Sequence, residues 1–157
     1  VPYLLNVKIT ILSIRLWTVY RLIAKLFIAF VVKNEMRGNP LAKVMIVDDD
    51  RTTVKLLQTL LELDGFDIVV AHRGGDVIGL AEQTHPDIFL MDYHLNDMHG
   101  VEVLRHLRAH PTFANSPVVM TSGLDVSEEV MAAGASAFLV KPFEPEDLPI
   151  LFNRFIS

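Results

Sequence analysis

From about Leu41 onward the chain repeats one alternation five times: a short apolar run, then apolar residues at helical spacing. The runs fall at 44–47, 66–71, 88–91, 118–120 and 137–140. Helices are marked by Val54, Leu57, Leu60 and Leu61, by Val77, Ile78, Leu80 and Ala81, and by Val101, Leu104 and Leu107. Val126, Val130 and Met131 outline a short fourth helix, and 148–156 a fifth. Strands that are apolar throughout are buried on both faces, which in a βα series means a parallel sheet covered by helices on each side. Right-handed crossovers then predict a doubly wound α/β domain with a five-stranded parallel sheet.

Ligands of such sheets bind beyond the carboxyl ends of the strands, so the residues that follow each run carry the functional information. Asp48, Asp49 and Asp50 follow the first run, Asp92 the third, Thr121 and Ser122 the fourth, and Lys141 the fifth. Carboxylates gathered on one rim repel one another unless a cation joins them. Together they make a hard oxygen site suited to Mg²⁺ with room for phosphate oxygens. Lys141 and the Thr121 hydroxyl supply the donors a phosphoryl group needs.

The strings VMIVDDD at 44–50, PDIFLMDYHLNDMHGVEVL at 86–104, VVMTSG at 118–123 and GASAFLVKPF at 134–143 carry a resemblance, in their order and spacing together. Residues 43–157 resemble the receiver domain of two-component response regulators, a (βα)₅ flavodoxin-like fold. The resemblance implies that Asp92 accepts a phosphoryl group from a phosphohistidine of a sensor kinase or phosphotransfer protein. It implies Mg²⁺ held by Asp48, Asp49, Asp92 and the backbone carbonyl of His94, with Asp48 acting through water. Lys141 would pair with the phosphoryl group, or with Asp92 before it arrives, and Lys141-Pro142 would be a cis peptide. Thr121, the Ser122 N–H and Phe138 would form the switch that alters the surface of helix four, strand five and helix five, where a protein target docks. Beyond slow self-dephosphorylation, no enzymatic activity is expected.

Several positions depart from that family's common pattern. Asn96 stands where proline is usual, which predicts a more mobile loop after Asp92, and His99 replaces a frequent acid. His94 occupies a variable position tied to phosphoryl lifetime. Pro149 falls near the start of the last helix, where it costs a hydrogen bond if it lies beyond the first turn. Gly74-Gly75 lacks the pattern of a phosphate-cradling loop and reads as a turn. His106 and His110, four apart on the third helix, have the spacing of a metal pair, but His99 and His106 read as lying on the solvent side, opposite Val101, Leu104 and Leu107.

Two other classes compete. Asp48-Asp49-Asp50-Arg51-Thr52 also fits D-x-D-x-T, the nucleophile motif of haloacid dehalogenase-like phosphatases, with Asp48 and Asp50 as the acting pair. That reading leaves Asp92 without a role and finds no final acidic metal motif after Lys141. A phosphate-independent docking module predicts loss of an acidic, Thr or Lys position, and none is lost.

Residues 1–40 read as a separate extension before a domain at 41–157. The stretch 9–32 is mostly large and apolar but carries Arg15, Arg21 and Lys25. Its fourteen Ile, Leu, Val and Phe residues offer about −4 to −8 kcal/mol for insertion, against about +8 to +10 for three central charges, so spanning is marginal. A membrane anchor or basic helix on an anionic membrane surface, a docking helix, and an upstream stretch read through from an earlier start are the readings of it. Residues 1–43 hold seven Lys/Arg against one acid, whereas 44–157 hold seven against eighteen, a net −11. So acidic a body argues against direct nucleic-acid contact. With no cysteine, disulfides and thiolate metal sites are excluded, which fits the cytoplasm.

Overall fold

The computed structural model describes residues 41–156, and the extension, with the helix expected within 9–32, lies outside the described residues. Five strands, β1 (Lys43–Val47), β2 (Asp67–Ala71), β3 (Ile88–Asp92), β4 (Val118–Ser122) and β5 (Ala137–Val140), form one sheet in the order β2-β1-β3-β4-β5. Every pairing is parallel. The connecting helices are α1 (Arg51–Leu63), α2 (Val77–Thr84), α3 (Gly100–Ala109), α4 (Ser127–Ala132) and α5 (Leu148–Asn153). No helix among the described residues is long and apolar enough to cross a membrane.

Alternate residues of each central strand feed opposite cores, as the period of two requires. Met45, Val47, Phe89, Met91, Val118 and Met120 pack with Val77, Ala81, Val103, Leu104, Leu107 and Val130 from α2, α3 and α4. Val44, Ile46, Ile88, Leu90 and Val119 face the other way, onto Val54, Leu57 and Leu61 of α1 and Leu148 and Phe152 of α5. The sheet is therefore wound on both sides, as the apolar runs predict.

Element ends differ in small ways from the sequence expectation. β3 includes Asp92 and β4 includes Thr121 and Ser122, because the ladder continues past the apolar runs: Tyr93 N donates to Thr121 O at 2.8 Å and Lys141 N to Ser122 O at 2.8 Å. β2 begins at Asp67, and α5 stops at Asn153 instead of reaching residue 156. A 3₁₀ turn, Pro145–Asp147, precedes α5, and Pro149 lies in the first turn of the helix, where no intrahelical N–H is lost. The Lys141-Pro142 peptide is cis.

Candidate functional site

At the carboxyl ends of the two central strands, Asp48, Asp49 and Asp92 come together with ligand oxygens all within 4.8 Å of one another. Asp48 and Asp92 are buried, at 4% and 8% exposure, while Asp49 is half-buried. The sheet order explains the convergence, since β1 and β3 are neighbours with Val47 opposite Met91, so that Asp48 just after β1 and Asp92 at the end of β3 come to the same level. Three carboxylates with no softer ligand among them match a hard divalent cation such as Mg²⁺. It is the one grouping of three or more potential metal ligands among the described residues.

Lys141 closes the site from β5. Its Nζ lies 2.9 Å from Asp92 Oδ1 and 3.0 Å from Asp48 Oδ2. Burial alone would pull this ammonium's pKa down. The hydrogen bonds to Asp92 and Asp48, with their charges, outweigh burial and hold the pKa above the ordinary lysine value. Thr121, buried in β4, aims its hydroxyl at the same carboxylate, 3.4 Å from Asp92 Oδ1. Asp92 Oδ2 accepts from His94 N at 3.2 Å. Asp48 Oδ1 accepts from Asp50 N at 2.8 Å, so the buried Asp48 has a partner on each oxygen.

Most residues singled out in the sequence meet here, but not all. Asp50 turns away: it is the N-cap of α1, accepting from Thr52 N at 2.9 Å and from the Thr53 hydroxyl at 2.6 Å. Those bonds, the Thr53 hydroxyl first, lower its pKa. The D-x-D pair of the phosphatase reading is thereby split, one acid in the cluster and one spent on a helix end. Ser122 is fully buried, its Oγ accepting from Leu124 N at 3.1 Å. Phe138 is half-buried against the core beneath α2, α3 and α4. His94 and His99 are exposed and form an isolated bridge to each other across the loop that leaves Asp92. His106 and His110 belong to no grouping of three or more potential metal ligands among the described residues. His106 is exposed, and His110 stacks on Phe113 with centroids 4.8 Å apart and sits 3.3 Å from Glu82.

Three features escape a residue-by-residue reading. Gly100 lies so close to the Asp92 carbonyl that a Cβ there would fall 2.1 Å from the oxygen. Tyr93, next to the central aspartate, donates its phenol hydrogen to Glu129 of α4 at 2.8 Å, and this bond raises the phenol's pKa. Asp97 binds two backbone N–H groups across the loop, from Gly74 at 2.9 Å and Gly75 at 3.0 Å. The loop that carries Asn96 is thus bonded through Asp97 to the turn before α2.

Comparison with known proteins agrees with this geometry. The family model for the response regulator receiver domain matches residues 44–153. The regulatory protein AtoC of Escherichia coli is 30% identical over 118 residues, covering 73% of this chain and 25% of that protein. This chain spans about a quarter to a half of the length of the curated relatives it matches. Among solved structures, the chemotaxis response regulator CheY4 of Vibrio cholerae superposes with a TM-score of 0.69 at 27% identity, over 74% of this chain and 99% of that one. The receiver domain of the Francisella response regulator 1452 does so with a TM-score of 0.68 at 30% identity, over 75% and 97%.

Proposed function

This chain belongs to the response regulator receiver domain family, and from that premise we propose that Asp92 accepts a phosphoryl group from a phosphohistidine, with Mg²⁺ at the acidic cluster. The observation that carries the reading is the placement of Asp92 between two carboxylates and one ammonium, with Lys141 Nζ at 2.9 Å and a buried hydroxyl at 3.4 Å. Receiver domains work with histidine kinases or phosphotransfer proteins, and such a protein is the proposed donor, in the cytoplasm.

In the transfer, an Asp92 carboxylate oxygen forms a bond to phosphorus while the P–N bond to the donor imidazole breaks. The electron pair goes to that nitrogen, leaving a neutral ring once it is protonated. Such transfers need positioning and charge neutralisation more than covalent help. Mg²⁺, held by Asp48, Asp49, Asp92 and the His94 carbonyl, would offset the charge on the phosphoryl oxygens. Lys141 leaves Asp92 Oδ1 to meet one such oxygen, and the Thr121 hydroxyl and Ser122 N–H donate to another. Stabilising that arrangement shifts the population of the state in which Thr121 and Phe138 have moved. The response reaches a protein partner on the face of α4, β5 and α5, where Met131, Val140 and Ile150 are exposed. Turnover beyond slow loss of the acyl phosphate is not part of this reading.

The test is intact mass after incubation with a small phosphodonor, with and without Mg²⁺, beside Asp92→Asn. We expect one Mg²⁺-dependent phosphoryl adduct, absent from the variant. An adduct that survives Asp92→Asn would overturn the assignment of the acceptor, and no adduct on folded protein would leave a phosphate-independent docking module.

A further inference from the structure

Gly74 and Gly75 open a 3₁₀ turn (Gly74–Asp76), and their N–H groups are bound by a carboxylate of the protein itself. Asp97 Oδ1 accepts from Gly74 N at 2.9 Å and Oδ2 from Gly75 N at 3.0 Å, one oxygen to each donor, with Arg73 Nε 3.8 Å from Oδ2. Asp97 lies at the exposed surface, with its side chain turned in against the glycine turn at 16% exposure. Beside it the approach is tight: a Cβ on Gly74 would lie 2.6 Å from Met98 Cγ and 2.8 Å from Val103 Cγ2. Only a glycine lets the turn before α2 receive the β3–α3 loop this closely.

That loop, residues 93–99, is fixed at its base by Tyr93 N donating to Thr121 O and Gly100 N donating to Tyr93 O at 2.7 Å. At its far end the contacts of Asp97 and Met98 hold it. It contains no proline to set a dihedral. Resting on the phosphoacceptor reading above, we propose that Asp97 is a positioning residue for the site, its clamp on Gly74 and Gly75 fixing the loop from which His94 offers its backbone carbonyl to Mg²⁺. Groups that orient metal ligands typically change metal affinity by about 10–100-fold when removed.

The experiment is calorimetric titration of the full chain with Mg²⁺ alone, comparing Asp97→Ala and Asp97→Asn with Asp87→Ala. Asp87 makes a similar carboxylate-to-backbone tie, accepting from Lys43 N at 2.7 Å, but at the opposite end of the sheet. Asp97→Ala should raise the Mg²⁺ Kd about tenfold, and Asp97→Asn, which keeps one acceptor oxygen, should fall between. The Mg²⁺ concentration for half-maximal phosphoryl adduct should rise by the same factor, with the yield restored at saturating Mg²⁺. Asp87→Ala should lower the melting temperature yet leave the Mg²⁺ Kd unchanged. An Asp97→Ala Kd within twofold of wild type, or an equal weakening in Asp87→Ala, would overturn the proposal. Titration decides the role of Asp97 by itself, whereas the wild-type adduct decides the phosphoacceptor reading.

Discussion

Three carboxylates and one ammonium leave the rim with excess negative charge until a cation joins. Unit charges within 4.8 Å of one another, at an effective dielectric near 20, repel by at least roughly 3.5 kcal/mol. Asp49, the least buried of the three acids, is the one to neutralise with least disturbance. Asp49→Asn should raise metal-free stability by about 1–3 kcal/mol in chemical denaturation. Wild type should gain about 2.7 kcal/mol at Mg²⁺ a hundredfold above its Kd, and the variant little. A variant that is less stable without metal, and still responds fully to Mg²⁺, would mean that the carboxylates do not share one ion. Asp97 gives a pH signature of its own. The Gly75 and Gly74 N–H groups hold its pKa below the usual carboxylate value. Its stabilisation is therefore complete above the unfolded pKa of about 3.9 and is lost as pH falls through the lower folded value. The melting-temperature gap between wild type and Asp97→Asn should be full at pH 6 and close progressively below about pH 3.9. A gap that persists unchanged to the acid limit would show that the carboxylate charge is not what binds the turn.

At the scale of elements, α4 is the piece with least to hold it. It has six residues and one buried side chain, Val130, and a tether to the site in the bond from the Tyr93 phenol to Glu129. A typical hydrogen bond contributes about 0.5–1.5 kcal/mol net, an exposed one toward the lower end, which is a large share of what a helix of under two turns can gain locally. Tyr93→Phe should speed amide exchange across 127–132 several-fold while leaving α3 unchanged, and equal protection in the two proteins would remove the tether. The strands and helices were legible in the sequence because burial on two faces writes itself as apolar runs, and the acids and Lys141 stood out because charge collects where those runs stop. The ends of β3 and β4 were less legible, since ladder hydrogen bonds from Tyr93 and Lys141 carry the strands onto polar residues. Asp97 was not legible at all. Its partners are backbone N–H groups 22 and 23 residues earlier, and a backbone donor leaves no trace in residue type. Asp50 misled for the opposite reason: an acid in a row of acids looks functional, and a Thr two or three residues on is the sign that it caps a helix.

For the domain as a whole, seven bases against eighteen acids over 44–157 set a repulsive field around a site that would receive an anion. At saturating Mg²⁺, the rate of adduct formation with a small anionic phosphodonor should increase with ionic strength, because screening over about 8–10 Å weakens that field. A rate that falls with salt would point to local attraction by the site outweighing the body charge. The order of strands in the sheet adds something about how the molecule comes into being. β1 lies inside the sheet yet precedes the other four strands in the chain, and its neighbour β3 also precedes β4 and β5. The ribosome thus delivers Asp48, Asp49 and Asp92 well ahead of Lys141, which is 93 residues beyond Asp48. The counter-charge that the chain itself brings to the acidic cluster thus arrives last, and completing the sheet is what lowers, without cancelling, the charge at its rim.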